Sequence, residues 1–188
     1  MHDVEPYYNW RHLYCSEEDE NSPFFNQVYS EFEFTNAIYN YCIHPQWDSI
    51  GSDTLYIKIL FCDYSSGFCI IEMMGEWNDA IHNDIMHLKR NVIDVLIRNG
   101  IKKYILIGEQ VMNFHSSEDD YYEEWFDDVE EGWLVSIGFQ DHVLTEWSNL
   151  GLDNYFLYGD WFDLLNWRTM TPKQLFLLID KRVKTLLT

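Results

Sequence analysis

The chain has 188 residues, enough for about one domain with an appendage, and 47% hydrophobic and 18% aromatic content can fill a packed core. Its 32 acidic residues against 12 basic ones leave a formal charge of −20, which argues against nucleic acid and anionic membranes, because phosphate binding needs a positive field. No run approaches the roughly 18 to 20 apolar residues that span a bilayer, and the opening MHDVEPYYNW has no signal-peptide character, so a cytoplasmic protein is expected.

Residues 1–21 are first aromatic (Tyr7, Tyr8, Trp10, Tyr14) and then acidic (Glu17, Glu18, Asp19, Glu20), the pattern of an arm that lays rings on a surface before a solvated connector. Ser22-Pro23 is a helix start, and Phe25, Val28, Phe32, Tyr39 and Cys42 fall roughly on one face after it. Alternation at Phe32-Glu33-Phe34-Thr35 also permits a strand. His44-Pro45 ends whatever precedes it. Residues 1–50 are thus read as an N-terminal arm and helix, and 51–188 as an α/β domain.

Thr54–Phe61 and Phe68–Met74, joined through Ser65-Ser66-Gly67, predict a hairpin. The four cysteines, Cys15, Cys42, Cys62 and Cys69, have no CxxC spacing and read as reduced core thiols. Cys62 and Cys69 flank the hairpin turn, so a disulfide there stays open, although cytosolic disulfides are rare. Asn78 or Asp79 then caps a helix whose apolar positions are Ile81, Ile85, Leu88, Val92 and Leu96, closed by Gly100.

Tyr104-Ile105-Leu106-Ile107 is a β-prone apolar block before Gly108, suited to a central strand covered on both faces. After a loop over Glu109–His115, Ser116 or Ser117 is expected to cap a helix with Asp119, Asp120, Glu123 and Glu124 in its first turns. From Tyr122 to Ile137 the helical period runs through Gly132, so one long helix competes with a helix followed by a strand over Trp133–Phe139. Asp141 opens a short helix ended by Gly151, Asn154–Tyr158 predicts a last strand, and Thr171-Pro172 starts a final helix carrying Leu175, Leu178, Ile179, Val183 and Leu186.

The candidate chemistry gathers after the central strand. His115, Glu118, Asp119, Asp120, Glu123 and Glu124 offer ligands to a hard cation, but their spacing is not that of a calcium loop, and a solvated acidic face fits better than a metal site. His82 and His87 are five residues apart, roughly 140° around a helix, and cannot clasp zinc. His2, His12, His44 and His142 have no partner readable from the chain. GxSxG, Walker, GxGxxG and HExxH motifs are absent, so neither cofactor nor metal is expected. Tyr121, Tyr122, Trp125 and Phe126 interleave with Glu123, Glu124, Asp127 and Asp128, the composition of a surface for a basic, ring-accepting partner. Trp125 and Phe126 are expected to pack on the sheet; Trp161 and Trp167 are open.

Hairpin, helix, strand, helix, strand, helix, strand, helix is an order that resembles the STAS domain of anti-sigma-factor antagonists over about residues 53–160. Met74-Gly75-Glu76-Trp77 is similar to the Gly-Glu-Leu entry to the family's first helix. Leu106–Ser117 matches its strand, loop and Asp-Ser-Ser turn, with His115 in the aspartate's place, and Gly132–Asp160 its strand, helix, Leu-Gly-Leu-Asp and strand. The resemblance implies a break at Gly132 and a STAS-like mixed sheet of about five strands with helices packed on it; the N-terminal helical extension is read from residues 1–50 and lies outside it. The resemblance also implies Ser117 as the phosphorylated serine. Here Glu118-Asp119-Asp120 replaces the family's glycine, and like charge opposes a phosphate.

The expected function is a non-catalytic regulatory or scaffold module that binds a protein partner, or its own copy, through Ser116, Ser117, Glu118, Asp119, Tyr121 and Tyr122. The alternatives are an enzyme using Glu109, His115 and the neighbouring acids, and a small-ligand binder.

Overall fold

Successive side chains of a strand point to opposite faces, and both faces of Tyr104–Ile107 are covered: Tyr104 and Leu106 belong to one apolar cluster, Ile105 and Ile107 to another. The computed structural model describes residues 2–187. Its strands are β1 (His2–Val4), β2 (Ala37–Ile38), β3 (Tyr41–Ile43), β4 (Asp48–Ser49), β5 (Leu55–Asp63), β6 (Phe68–Asn78), β7 (Lys103–His115), β8 (Trp133–Ile137) and β9 (Phe156–Leu157). The helices are α1 (Asp79–His82), α2 (Asp84–Leu88), α3 (Asp94–Arg98), α4 (Asp120–Asp128), α5 (Asp141–Leu150), α6 (Asp160–Asp163) and α7 (Pro172–Leu186). None of the described helices is long and apolar enough to cross a membrane.

Six strands, rather than about five, form the main sheet in the order β4-β5-β6-β7-β8-β9, so β7 is interior as expected. β4, β5 and β6 are antiparallel neighbours, and β6 through β9 run parallel. One face carries the helical segment 79–98, α4 and α5, with Leu88, Val92, Leu96, Trp125, Val143 and Trp147 in its core. The other carries α7 and part of the arm, with Trp10, Trp167, Leu175, Ile179 and Val183. The mixed α/β class is therefore as expected.

The helix expected from Ser22 does not form. Ser22 Oγ accepts from Phe24 N (3.1 Å), but Asn26 turns left-handed (φ 62°) and stops the chain after one turn. Phe24 is buried, whereas Phe25, Val28 and Phe32 on the expected face are exposed, because no surface meets them. Trp10 lies on one face of the sheet, Phe24 on the other, and Tyr14 packs against both. The arm thus wraps the outer edge of β5, which β4 covers only at Tyr56 and Ile57. A small sheet, β1-β3-β2, closes that end over Ile38, Ile43, Trp47, Tyr56 and Met74.

The helix expected from Asn78 to Gly100 is also interrupted. Asn78 accepts from Ile81 N as its cap, but Asn83 adopts φ 51°, and Ile81 is left 77% exposed. A π-helical turn over Lys89–Ile93 then adds a residue to the repeat and brings Lys89 inward beside Val92 and Ile93. Elsewhere the local signals hold. Gly151 ends α5 at φ 84°, and Thr171 closes a capping box with Gln174 at the start of α7.

Gly132 separates α4 from β8 as two elements, because the chain there must pass close to β7. A Cβ at residue 132 would lie 1.8 Å from the Lys102 carbonyl oxygen, which accepts from Trp133 N (3.2 Å). Gly132→Ala is expected to destabilise the protein by about 1–3 kcal/mol through this overlap, read as a lowered urea midpoint with an unchanged slope.

Candidate functional site

β6 and β7 pair from Phe68 opposite Lys103 to Asn78 opposite His115, while β8 pairs with β7 only from Lys103 to Ile107. The far half of β7 thus runs beyond β8, and the expected loop over Glu109–His115 is strand. On the side where β8 has ended, His142 Nε2 of α5 donates to the Met112 carbonyl (2.7 Å). This extension carries the turn Ser116–Asp119 past the end of β8.

Neither serine caps α4. Ser116 Oγ donates to the Glu118 carbonyl (2.9 Å), Ser117 is exposed, and the cap position falls on Asp119, whose side chain accepts instead from Tyr155 OH (2.8 Å). The helix starts later than expected because β7 runs on to His115, which leaves the serines in the turn rather than at the helix.

α4 divides its residues sharply between two sides. Tyr122 and Trp125 are fully buried; Trp125 sits edge-on to Tyr104 at 5.2 Å, and Tyr122 OH donates to Asp79 Oδ2 (2.5 Å). Tyr122, expected among the contact residues, is therefore committed to the core, because its period places it against the sheet. Phe126, expected to pack, is 41% exposed beside Tyr155, with ring centroids 5.8 Å apart. Glu118, Asp120, Glu123 and Asp127 are exposed, and among the described residues no ion pair reaches any of them. Tyr121 is half-buried, with the Arg90 guanidinium 5.3 Å from its ring centre.

Not all acids of α4 are free. Lys89 Nζ, fully buried, bonds Asp94, Glu124 (3.3 Å) and Asp128 (2.7 Å), and Arg90 bonds Glu124 and Asp94. Asp94, Glu124 and Asp128 converge closely enough to hold a cation; the lysine ammonium already fills that place. Burial opposes the charge on Lys89, but the hydrogen bonds to Asp128 and Asp94 outweigh it and hold its pKa above the usual value. The hydrogen bond from Arg90 holds the Glu124 carboxyl below the usual range. The sequence reading as a wholly solvated acidic face thus divides into a clamped inner row and an open outer ridge.

The residues of the enzyme alternative do not converge. Six residues along a strand separate Glu109 from His115 by about 20 Å. Glu109 is bound by Arg168 (2.9 and 2.5 Å) and by Trp167 Nε1 (2.8 Å), whereas His115 Nε2 lies 3.5 Å from Glu76. Trp167 is buried in this arrangement, and Trp161 is half-buried with Arg182 5.6 Å from its ring centre. His44 Nε2 faces Glu5 at 3.2 Å, and the side chain of His2 lies outside the described residues. Cys62 and Cys69 are paired across the hairpin as free thiols.

A second polar group, unrecognised from the sequence, lies on the opposite face. Lys58 and Glu72 stand directly across from one another in β5 and β6, each a lone charge in an apolar run. Lys58 Nζ is 3.3 Å from Asp48, and Glu72 accepts from Tyr7 N (2.7 Å), which latches the arm to the sheet. Burial raises the Glu72 carboxyl to about 7 and Asp48 and Asp79 to about 6. The signal was in the chain: complementary charges inside LYIKILFCD and FCIIEMMG, at positions a hairpin register brings together.

The chain is similar to a solved structure of the anti-sigma factor antagonist SpoIIAA in its unphosphorylated form, at 12% identity and a TM-score of 0.42, covering 56% of this chain and 89% of that one. That protein is of the family the sequence resembles. No protein-family model matches the chain, and no curated protein does.

Two outcomes follow from the buried charges. Lys89→Met leaves Asp128 without its cation and Asp94 and Glu124 held by Arg90 alone, and is expected to cost about 1.5–3 kcal/mol in chemical denaturation. Glu72 titrates at about 7 in the fold against an ordinary 4.5. Its contribution to stability is therefore complete below about 4.5 and is lost as pH rises through about 7. Glu72→Gln should flatten the fall in stability between those limits and gain up to about 3 kcal/mol at pH 8, measured by denaturation across pH.

Proposed function

We propose that this chain is a non-catalytic regulatory or scaffold module of the cytoplasm that docks a basic protein partner through the turn Ser116–Asp119 and the outer ridge of α4. The observation that carries the reading is the row of unpaired acids Glu118, Asp120, Glu123 and Asp127 beside the partly exposed rings of Tyr121 and Phe126. Carboxylates of this kind speed encounter with a cationic surface and fix its orientation, and rings beside them offer faces to arginine or lysine. The ridge is also held rigid: Tyr122 ties α4 to Asp79 on one side, and Lys89 ties it to Asp94 on the other. Less ordering is then lost on binding.

A second copy suits this ridge poorly, since two such rows would set like charges together. Ser116 and Ser117 act as hydroxyl contacts at the rim. A phosphate on Ser117 would meet Glu118 and Asp120 with the same sign of charge, so a phosphoserine switch is not part of the proposal.

The combined reversal Glu118→Lys, Asp120→Lys and Glu123→Lys touches no buried or paired group, so the variant should fold. In affinity capture from the native host it is expected to lose the wild-type partner, while Glu18→Lys, Glu20→Lys and Glu33→Lys together keep it. Capture by the ridge variant equal to wild type would overturn the proposal.

A further inference from the structure

A cavity lies far from the ridge, between the arm and β5. It has a volume of about 500 Å³, within the range of about 300–1,000 Å³ typical of small-molecule sites. Tyr7, Tyr8 and Tyr14 of the arm, Phe32, Gln46 and Lys58 line it. Tyr8 and Phe32 are 64% and 87% exposed, so the cavity can be entered from solvent. A β-bulge between Ile59 and Phe61 displaces Leu60, another lining residue, at this point of the open β5 edge. Bulges of that kind are common beside binding sites.

The wall chemistry restricts what can enter. Arg11 lies 3.1 Å from Glu17, His44 Nε2 3.2 Å from Glu5 and Lys58 Nζ 3.3 Å from Asp48, while Glu31, a further acid of the wall, is exposed to solvent. A charged ligand beside the buried Lys58 would have to break its pair with Asp48 or remain unpaired away from water. Two polar atoms nevertheless lack a hydrogen bond. Lys58 Nζ, on a side chain 8% exposed, has only its charge contacts and the Tyr29 ring at 4.0 Å, and Gln46 Oε1 is a buried acceptor with no donor. Buried polar atoms without partners are rare in folded proteins and call for an explanation.

We propose that this cavity binds a small, uncharged, planar ring that carries a carbonyl acceptor for Lys58 and an N–H donor for Gln46, as a carboxamide or lactam does. The tyrosine and phenylalanine rings supply faces for the planar part. The site is independent of the acidic ridge, so a ligand there does not require the docking role, nor the reverse.

Benzamide, benzoate and benzamidine have nearly the same shape and differ in charge, and each can be titrated into the full chain with amide ¹H–¹⁵N spectra as the readout. Benzamide is expected to saturate below about 10 mM, as suits so few atoms, with shifts centred on Tyr7, Tyr8, Ile59 and Leu60. Benzoate and benzamidine should bind at least about fivefold more weakly. Lys58→Met should abolish the response. Should that variant fail to fold, Phe32→Ala, at an exposed position, should weaken benzamide by about threefold or more. Failure of benzamide to saturate by about 20 mM, shifts centred elsewhere, equal binding of either ion, or unchanged affinity in Phe32→Ala would overturn the assignment.

Discussion

The parallel ladder between β6 and β7 is the constraint on which the rest of the molecule depends. It is the long pairing of the sheet, running from Phe68 and Lys103 at one end to Asn78 and His115 at the other. Alternation along it sorts the core into two layers, since Tyr104 and Leu106 look toward α4 and α5 while Ile105 and Ile107 look toward α7. Because β8 stops at Ile137, opposite Ile107, the ladder continues alone and carries the turn at Ser116 outward. The acidic ridge exists where it does because the strand is longer than its neighbour.

A chain with 32 acids and 12 bases must choose where its few cations go. Two of them, Lys58 and Lys89, sit in the interior, while most of the others are exposed but paired with or near acids. Lys89 stands among Asp94, Glu124 and Asp128, Arg168 on Glu109, Lys103 on Asp180, and Lys58 beside Asp48. Each desolvated cation keeps nearby carboxylates tolerable in the interior, and the surplus of negative charge is displaced outward. On α4 this separation operates within one helix: Glu124 and Asp128 are clamped, whereas Glu123 and Asp127, one residue earlier in each case, face water. Stability and the proposed docking thus draw on different members of the same acidic run.

Much of the sheet was legible because its signals are local. Tyr104–Ile107 has the composition of a doubly covered strand, Gly132 breaks the chain where a side chain would strike Lys102, and Thr171-Pro172 carries a cap and a proline in the right order. The misreadings occur where tertiary packing decides. Phe25, Val28 and Phe32 share a helical period but find nothing to cover them. The π turn at Lys89–Ile93 leaves the apolar period nearly intact while rotating a lysine into the core. At the site, the acids and their place after the central strand were readable, but their division into clamped and open sets was not, since it depends on Lys89 and Arg90 from another segment. The arm cavity escaped notice for a similar reason: Tyr7, Phe32, Gln46 and Lys58 come from separate stretches.

Hydrogen–deuterium exchange on the chain with and without its captured partner tests the docking account most directly. Slowed exchange confined to residues 116–131, weakening as salt is raised, is the predicted footprint. Slowed exchange over the arm or α7, with 116–131 unaltered, would contradict it.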